Sequence, residues 1–91
     1  MPYIKQENRE KFIVPDGHQT DSLKFIGSNC QSSGELNYVF SKIALEYLKH
    51  KGVNYQAFND IIGALEGAKL ELYRIHCAPY EDVKIYENGH I

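Results

Sequence analysis

The fold is decided by residues 32–62, which read SSGELNYVFSKIALEYLKHKGVNYQAFNDII. Ser32 and Glu35 have the spacing of a capping box, in which each side chain accepts a hydrogen bond from a backbone N–H group left unpaired at the start of a helix. Apolar side chains follow at intervals of three and four residues, at Leu36, Val39, Phe40, Ile43, Tyr47 and Leu48. This spacing predicts an amphipathic helix over about residues 35–51.

A very short joint follows that helix. The basic run Lys49-His50-Lys51 suits the negative end of a helix, and Gly52 is the expected terminator. Only Gly52 and Val53 separate this end from Asn54, a residue type that favours helix N-caps. Because so short a joint turns the next helix back along the first, we predict an antiparallel helical hairpin.

The second helix of this hairpin is predicted over about residues 55–76, and Pro79 is expected to stop it. Its packing side carries Phe58, Ile61, Ile62, Leu65, Ala68, Leu72 and Ile75. Gly63 and Gly67 lie inside it, although glycine costs about 1 kcal/mol relative to alanine in a helix interior. The two glycines leave a strip of the helix surface with almost no side chains. This strip indicates either close packing of another helix or a gap for a ligand or a symmetry-related subunit.

The length of the chain allows one domain. We predict a single small, mainly α domain that consists of a variable N-terminal arm (1–33), the helical hairpin core (34–77) and a tail (78–91). In the arm, Pro15-Asp16-Gly17 predicts a turn, and Thr20 or Asp21 caps a short helix that ends at Gly27. The tail is charged, and we expect it to be extended.

Charge and hydropathy exclude several classes of function. The net charge is −2 and no lysine or arginine cluster is present, so general nucleic-acid binding is not expected. No apolar run is long enough to span a membrane, and no hydrophobic export signal begins the sequence, so we expect a cytoplasmic protein. Cys30 and Cys77 are then expected to be free thiols.

The sequence carries no recognisable catalytic or metal-binding motif. The histidines form no H-x-x-x-H or H-E-x-x-H pair, and no phosphate-binding glycine loop is present. We therefore predict no catalytic residue, no metal and no cofactor. A 91-residue chain with seven tyrosines is marginal alone, and tyrosine suits interfaces, so we expect a homo-oligomer.

Polar and aromatic residues cluster at the predicted helix starts. Asn37 and Tyr38 lie in the first turn of one helix, and Tyr55 and Asn59 lie in the first turns of the next. Asparagine and tyrosine offer directional hydrogen bonds and a stacking face, which suit a nucleobase or a sugar. Capping and half-buried packing are the alternative explanation for the same residues.

The second helix and the residues after it supply four more candidate ligand-binding residues. Lys69 and Arg74 could face phosphates, and Tyr73 and Tyr80 could stack on a base. The alternative is that the two cations form exposed ion pairs with Glu66 and Glu71, three residues before each of them.

Several stretches of the chain resemble a small uncharacterised protein family of bacteriophages and bacteria. They are GELNY (34–38), NYQ (54–56), IIGALEGAKLELYR (61–74) and APYEDVKIYENG (78–89), so the resemblance covers about residues 34–89. The family brings no established activity. Its bacteriophage association implies, by analogy of size and context, a protein that sequesters a host defence signal.

These observations lead to three functional hypotheses. The first is a non-enzymatic homo-oligomer that sequesters a nucleotide-like molecule at a subunit interface. The second is a protein–protein interaction module that inhibits a host protein or serves in phage assembly. The third is a small hydrolase or lyase that acts on a nucleotide signal and uses Glu66 or His76.

Overall fold

The computed structural model describes residues 3–14, 18 and 20–91, which are mainly α-helical, as predicted. Its α-helices are α1 (Ser22–Asn29), α2 (Ser33–Lys51), α3 (Tyr55–Leu72) and α4 (Ala78–Asn88). A π-helical segment, Tyr73–Cys77, joins α3 to α4. No helix within this part of the chain combines the length and apolar character needed to cross a membrane. The turn predicted at residues 15–17 lies outside the described residues.

The N-terminal arm contains more structure than the sequence predicted. Two short 3-10 turns, Gln6–Asn8 and Glu10–Phe12, precede β1 (Ile13–Val14), which pairs antiparallel with β2 (Thr20–Asp21). Asp21 then caps α1, because its Oδ1 accepts hydrogen bonds from the backbone N–H groups of Leu23 at 3.0 Å and Lys24 at 3.1 Å. The predicted cap is therefore confirmed, and the helix continues two residues past Gly27.

The capping box predicted before α2 forms with one difference. Ser32 Oγ accepts a hydrogen bond from the backbone N–H of Glu35 at 3.2 Å, as expected. The Glu35 carboxylate, however, accepts from the N–H of Gln31 at 3.3 Å and thereby ties down the residue before the cap. Gly52 ends α2 with a φ of 89°, a value that side chains disfavour.

Asn54 begins α3 as predicted. Its side-chain oxygen accepts a hydrogen bond from the backbone N–H of Ala57 at 2.8 Å, which satisfies one of the unpaired donors of the first turn. Regular α-helix then continues to Leu72, where the hydrogen-bonding pattern changes.

The prediction that Pro79 stops the helix and that an extended tail follows is wrong. The chain remains helical through the π-segment and through α4 to Asn88, and Gly89 ends α4 with a φ of 88°. Proline lacks an N–H group, and its ring clashes with the carbonyl four residues earlier in a regular helix. In the π-segment the N–H of Ala78 instead reaches the carbonyl of Tyr73, five residues back, and Pro79 falls in the first turn of α4, where its missing N–H is tolerated.

The described residues build almost no core of their own. Ala57 is the one buried residue among them, at 2% exposure, and large apolar side chains stay exposed on each α-helix. The radius of gyration is 16.7 Å, compared with about 12 Å for a compact domain of this length. The accessible surface is 8118 Å², whereas a compact monomer of 10.5 kDa exposes about 5,400 Å².

Candidate functional site

An apolar groove lies between α2 and α3 and encloses about 300 Å³. Its α2 wall is formed by Phe40, Ile43, Ala44 and Tyr47, and its α3 wall by Asp60, Ile61, Ala64 and Leu65. Because the alanines remove bulk from both walls, the groove stays open between larger side chains. Its volume is at the lower limit for small-molecule sites, which begin at about 300 Å³.

A hydrogen-bonded carboxylate supplies the polar group of this groove. Tyr47 donates from its hydroxyl to Asp60 Oδ2 at 2.9 Å, and Gln56 donates from its amide to Oδ1 at 2.7 Å. The bonds from Gln56 and Tyr47 lower the pKa of Asp60, and the bond to Asp60 raises the pKa of Tyr47. At neutral pH the groove therefore has an ionised carboxylate on one wall.

The π-segment adjoins a second polar cluster, which also holds the N-terminal arm. Tyr3 donates from its hydroxyl to Glu71 Oε2 at 2.7 Å, and Arg74 donates to both oxygens of the same carboxylate at 3.2 and 3.0 Å. The Glu71 side chain is only 17% exposed. The hydrogen bonds from Arg74 and Tyr3 lower its pKa, so it remains an anion that fixes the orientation of the guanidinium.

A third carboxylate lies on the other side of the π-segment. Tyr73 donates from its hydroxyl to Glu81 Oε1 at 2.6 Å, and the thiol of Cys77 lies 3.8 Å from the same oxygen. Desolvation, together with the negative charge of Glu81 and its hydrogen bond, raises the pKa of Cys77. The thiol is therefore held in its protonated, less nucleophilic form.

The candidate ligand residues at the helix starts lie on the surface. Tyr38 is 66% exposed and Tyr55 is 89% exposed, which excludes the half-buried packing considered for them in a single chain. Asn37 accepts a hydrogen bond from the Ser41 hydroxyl at 3.3 Å, and Asn59 is exposed.

The other four candidates lie near the π-segment. The surface ion pairs considered for the two cations are both present: Lys69 lies 3.7 Å from Glu66, and Arg74 lies 3.0 Å from Glu71. Tyr73 and Tyr80 are both more than half exposed. The ammonium group of Lys84 lies 5.5 Å from the centroid of the Tyr80 ring, within cation–π range.

One chain cannot bring all eight candidate residues to one ligand. Tyr55 and Tyr73 are 18 residues apart along continuous helix, which corresponds to about 27 Å. A small nucleotide does not span that length. The structure therefore places Tyr55 and Asn59 at the joint end of α3, Asn37 and Tyr38 at the start of α2, and the other four candidates near the π-segment. Only contacts between chains could bring all eight to one ligand.

The sequence indicates Tyr73, Arg74 and Glu71 but not the other polar residues that the structure connects. Tyr47 belongs to the predicted apolar stripe, and no motif marks Asp60, Tyr3 or Glu81 as site residues. Tyr73 and Glu81 are eight residues apart, twice the four-residue interval at which side chains meet on a regular helix, so helical spacing did not indicate their contact. Tyr3 and Glu71 are 68 residues apart, and no local sequence pattern predicts a contact between residues so distant in the chain.

The described residues contain no group of three or more histidine, cysteine, aspartate or glutamate side chains that could hold a metal ion. Their carboxylates instead accept hydrogen bonds from tyrosine, arginine and glutamine, as at Asp60 and Glu71. The arrangement can bind and position polar groups along an otherwise apolar helical surface.

These features define a small, mainly α-helical protein in which a π-segment interrupts one long helix and apolar side chains remain largely uncovered. The chain belongs to a family described as a domain of unknown function, DUF6899, whose model matches residues 1–91. The family therefore includes the N-terminal arm, which lay outside the motifs that carried the resemblance. Neither the curated proteins nor the solved structures contain a match to this chain.

Proposed function

We propose that this protein is a non-enzymatic, homo-oligomeric binding protein that sequesters a small nucleotide-like ligand at a subunit interface. The observation that carries the proposal is the missing core: the chain exposes about 2,700 Å² more surface than a compact monomer of its mass. Burial of apolar surface is the main favourable term in folding and association. Association with further copies is the simplest way to cover it.

Within each subunit we propose that α2 and α3 form an antiparallel pair. The bond between Tyr47 and Asp60 supports this arrangement, because the two residues lie at similar distances before and after the joint at residues 52–54. A contact between positions so placed on either side of a short joint is what an antiparallel hairpin produces. The short joint at residues 52–54 is consistent with it.

The exposed aromatic and cationic groups near the π-segment support the ligand class that we propose. Tyr73 and Tyr80 offer faces for stacking on a base. Arg74 is held by Glu71 through two of its nitrogen atoms, and its side chain is 66% exposed, so part of the guanidinium can still contact a phosphate. Lys69 would add a second positive charge. The resemblance to bacteriophage proteins makes a host signalling nucleotide the ligand that we propose.

The side chains whose pKa values are shifted favour binding over catalysis. The pKa values of Asp60 and Glu71 are lowered and that of Cys77 is raised, so each shift moves the pKa of the group further from pH 7. A general acid, a general base or a nucleophile that works at neutral pH needs the opposite direction. A hydrolase would release a new product detectable by chromatography, and that product would disappear in Glu66→Gln or His76→Ala.

The decisive experiment is isothermal titration of the full chain against cyclic dinucleotides, cyclic trinucleotides and cyclic ADP-ribose isomers. We expect heat with at least one compound, loss of that heat in Arg74→Ala and Tyr73→Ala, and no loss in Lys11→Ala, an exposed cation of the N-terminal arm. Native mass spectrometry of the freshly purified protein should show more than one chain. No heat with any compound would refute the nucleotide class.

A second candidate function is supported by the exposed apolar side chains themselves. Apolar patches that remain uncovered on a soluble protein mark interaction sites. A protein–protein module that inhibits a host protein or serves in phage assembly would use them as a docking face. A pull-down from host lysate that recovers one protein in stoichiometric amount, with no heat from any nucleotide, would favour this function.

A further inference from the structure

We propose that the apolar groove between α2 and α3 is the surface through which two copies of this chain pair, each groove covering the other around a two-fold axis. The inference rests on the proposed function, to which it adds the location and the symmetry of the contact. It makes the groove a protein interface and not the ligand pocket itself.

The area of exposed surface fits a second copy. If each of two chains buried its excess accessible surface of about 2,700 Å², the dimer would bury about 5,400 Å² in total. Obligate homodimers bury about 2,000–5,000 Å² or more, so the excess is enough for a permanent interface even if part of it stays open. A small ligand in a 300 Å³ groove would cover only a fraction of that surface.

The groove has the chemistry of an interface core. Phe40 is 51% exposed, Ile43 is 53% exposed and Leu65 is 46% exposed, although all three line the groove. Ala44 and Ala64 lie midway along the two walls and leave room for large side chains of a partner. In a two-fold contact the same patch serves both copies, so each pair of alanines can receive the other copy's phenylalanine or isoleucine.

The Asp60 carboxylate determines how the axis must run. Its pKa is lowered, so it is charged at neutral pH, and two such charges brought together in an apolar interface would repel each other. A two-fold axis perpendicular to the helices places the two Asp60 side chains at opposite ends of the combined groove. An axis parallel to the helices would place both carboxylates at the same end. The perpendicular arrangement is therefore the one we propose.

Gly63 does not line the groove and is not part of the proposed contact. A side chain added at Gly63 would meet no described atom within 4 Å. The close packing of a helix from the same chain, which the sequence suggested for this strip, is therefore absent at Gly63.

The test compares two glutamate substitutions on α2. Ile43 lines the groove, whereas Leu45, at 60% exposure, is rotated about 200° from it around the same helix. We expect the full wild-type chain to sediment as a dimer or a multiple of a dimer. Ile43→Glu should raise the dimer dissociation constant at least about 100-fold, because it would bury an unpaired charge. Leu45→Glu should leave the mass unchanged.

A cross-linking experiment covers the case in which Ile43→Glu does not fold, which circular dichroism would show. In a background of Cys30→Ser and Cys77→Ser, Ala44→Cys should be joined into dimers by a bismaleimide, and Glu46→Cys on the outer side of α2 should not. Equal cross-linking of both variants, or an odd number of chains, would overturn the proposal.

The outcomes separate this inference from the proposed function. The wild type could be oligomeric while Ile43→Glu leaves its mass unchanged and Ala44→Cys cross-links no better than Glu46→Cys. In that case the interface lies elsewhere and the proposed function stands. If the wild type is a monomer, both fail. If a copurified small molecule in the groove accompanies the monomer, the groove is a ligand pocket and the inference is wrong.

Discussion

Tyr47 on α2 donates a 2.9 Å hydrogen bond to Asp60 on α3, and this bond joins the two helices although Tyr47 is still 36% exposed. The bond requires a protonated phenol, and it is stronger when the carboxylate is ionised. It is therefore sensitive to pH at both ends of the scale, unlike the apolar contacts beside it in the groove.

The first prediction concerns that sensitivity. The lowered pKa of Asp60 means that its contribution to stability is present above the unfolded-state value of about 3.9 and is lost as the pH falls through the folded-state value. The raised pKa of Tyr47 means that its contribution is present below about 10 and is lost as the pH rises through the folded-state value. The bond should stabilise the protein most between about pH 4 and pH 10.

Thermal unfolding of the wild type and of Tyr47→Phe at several pH values measures this contribution. The variant should have the lower Tm at pH 7, and the difference should shrink at pH 3. Tyr86→Phe is the matched control, since Tyr86 is 91% exposed. A Tm difference that stays constant with pH would contradict the assignment.

The second prediction concerns the start of α3. Asn54→Ala removes the acceptor of the 2.8 Å bond from Ala57, and loss of such a cap costs about 1 kcal/mol. For a chain of this length that corresponds to a Tm lower by about 4–8 °C. Asn54→Asp keeps the acceptor and should retain most of the stability. Equal losses in both variants would show that the cap is not the cause.

The third prediction concerns the position of Pro79. Because Pro79 lies in the first turn of α4 after the π-segment, Pro79→Ala should change the free energy of unfolding by less than about 1 kcal/mol. Val83→Pro, in the middle of α4, should cost about 3 kcal/mol or more. Urea unfolding followed by circular dichroism measures both. Similar costs at the two positions would mean that α4 is not continuous helix.

The fourth prediction concerns the N-terminal arm, which is tied to α3 by the bond from Tyr3 to Glu71. Tyr3→Phe should release the arm and speed tryptic cleavage after Lys5, Arg9 and Lys11. The same treatment should leave cleavage within α2 unchanged, which makes the α2 sites an internal control. Unaltered cleavage of the arm would show that other contacts hold it.

The fifth prediction concerns the reactivity of Cys77. Its raised pKa keeps the thiolate fraction low at pH 7.5, so alkylation by iodoacetamide should be slow for an exposed thiol. Glu81→Gln removes the negative charge beside it and should speed the reaction, whereas Glu87→Gln should not. Mass spectrometry of the peptide that contains Cys77 distinguishes it from Cys30. A faster reaction in the wild type than in Glu81→Gln would contradict the prediction.

The features that sequence reasoning predicted correctly are short-range. The caps at Asp21, Ser32 and Asn54 and the terminator at Gly52 depend on contacts within four residues and on the backbone freedom of glycine. The chain therefore specifies where its main helices begin, and where α2 ends, without help from the rest of the fold. The candidate ligand residues were chosen by residue type, and their roles remain predictions.

The sequence by itself determined the helical class, the joint between α2 and α3 and their caps, because each of these arises from neighbouring residues. Only the tertiary structure showed that the helix passes Pro79, since a change of hydrogen-bonding register in the π-segment accommodates the missing N–H. The contact between Tyr3 and Glu71 and the open groove beside Asp60 also belong to the tertiary structure. They depend on where distant segments meet in space, which local side-chain chemistry does not encode.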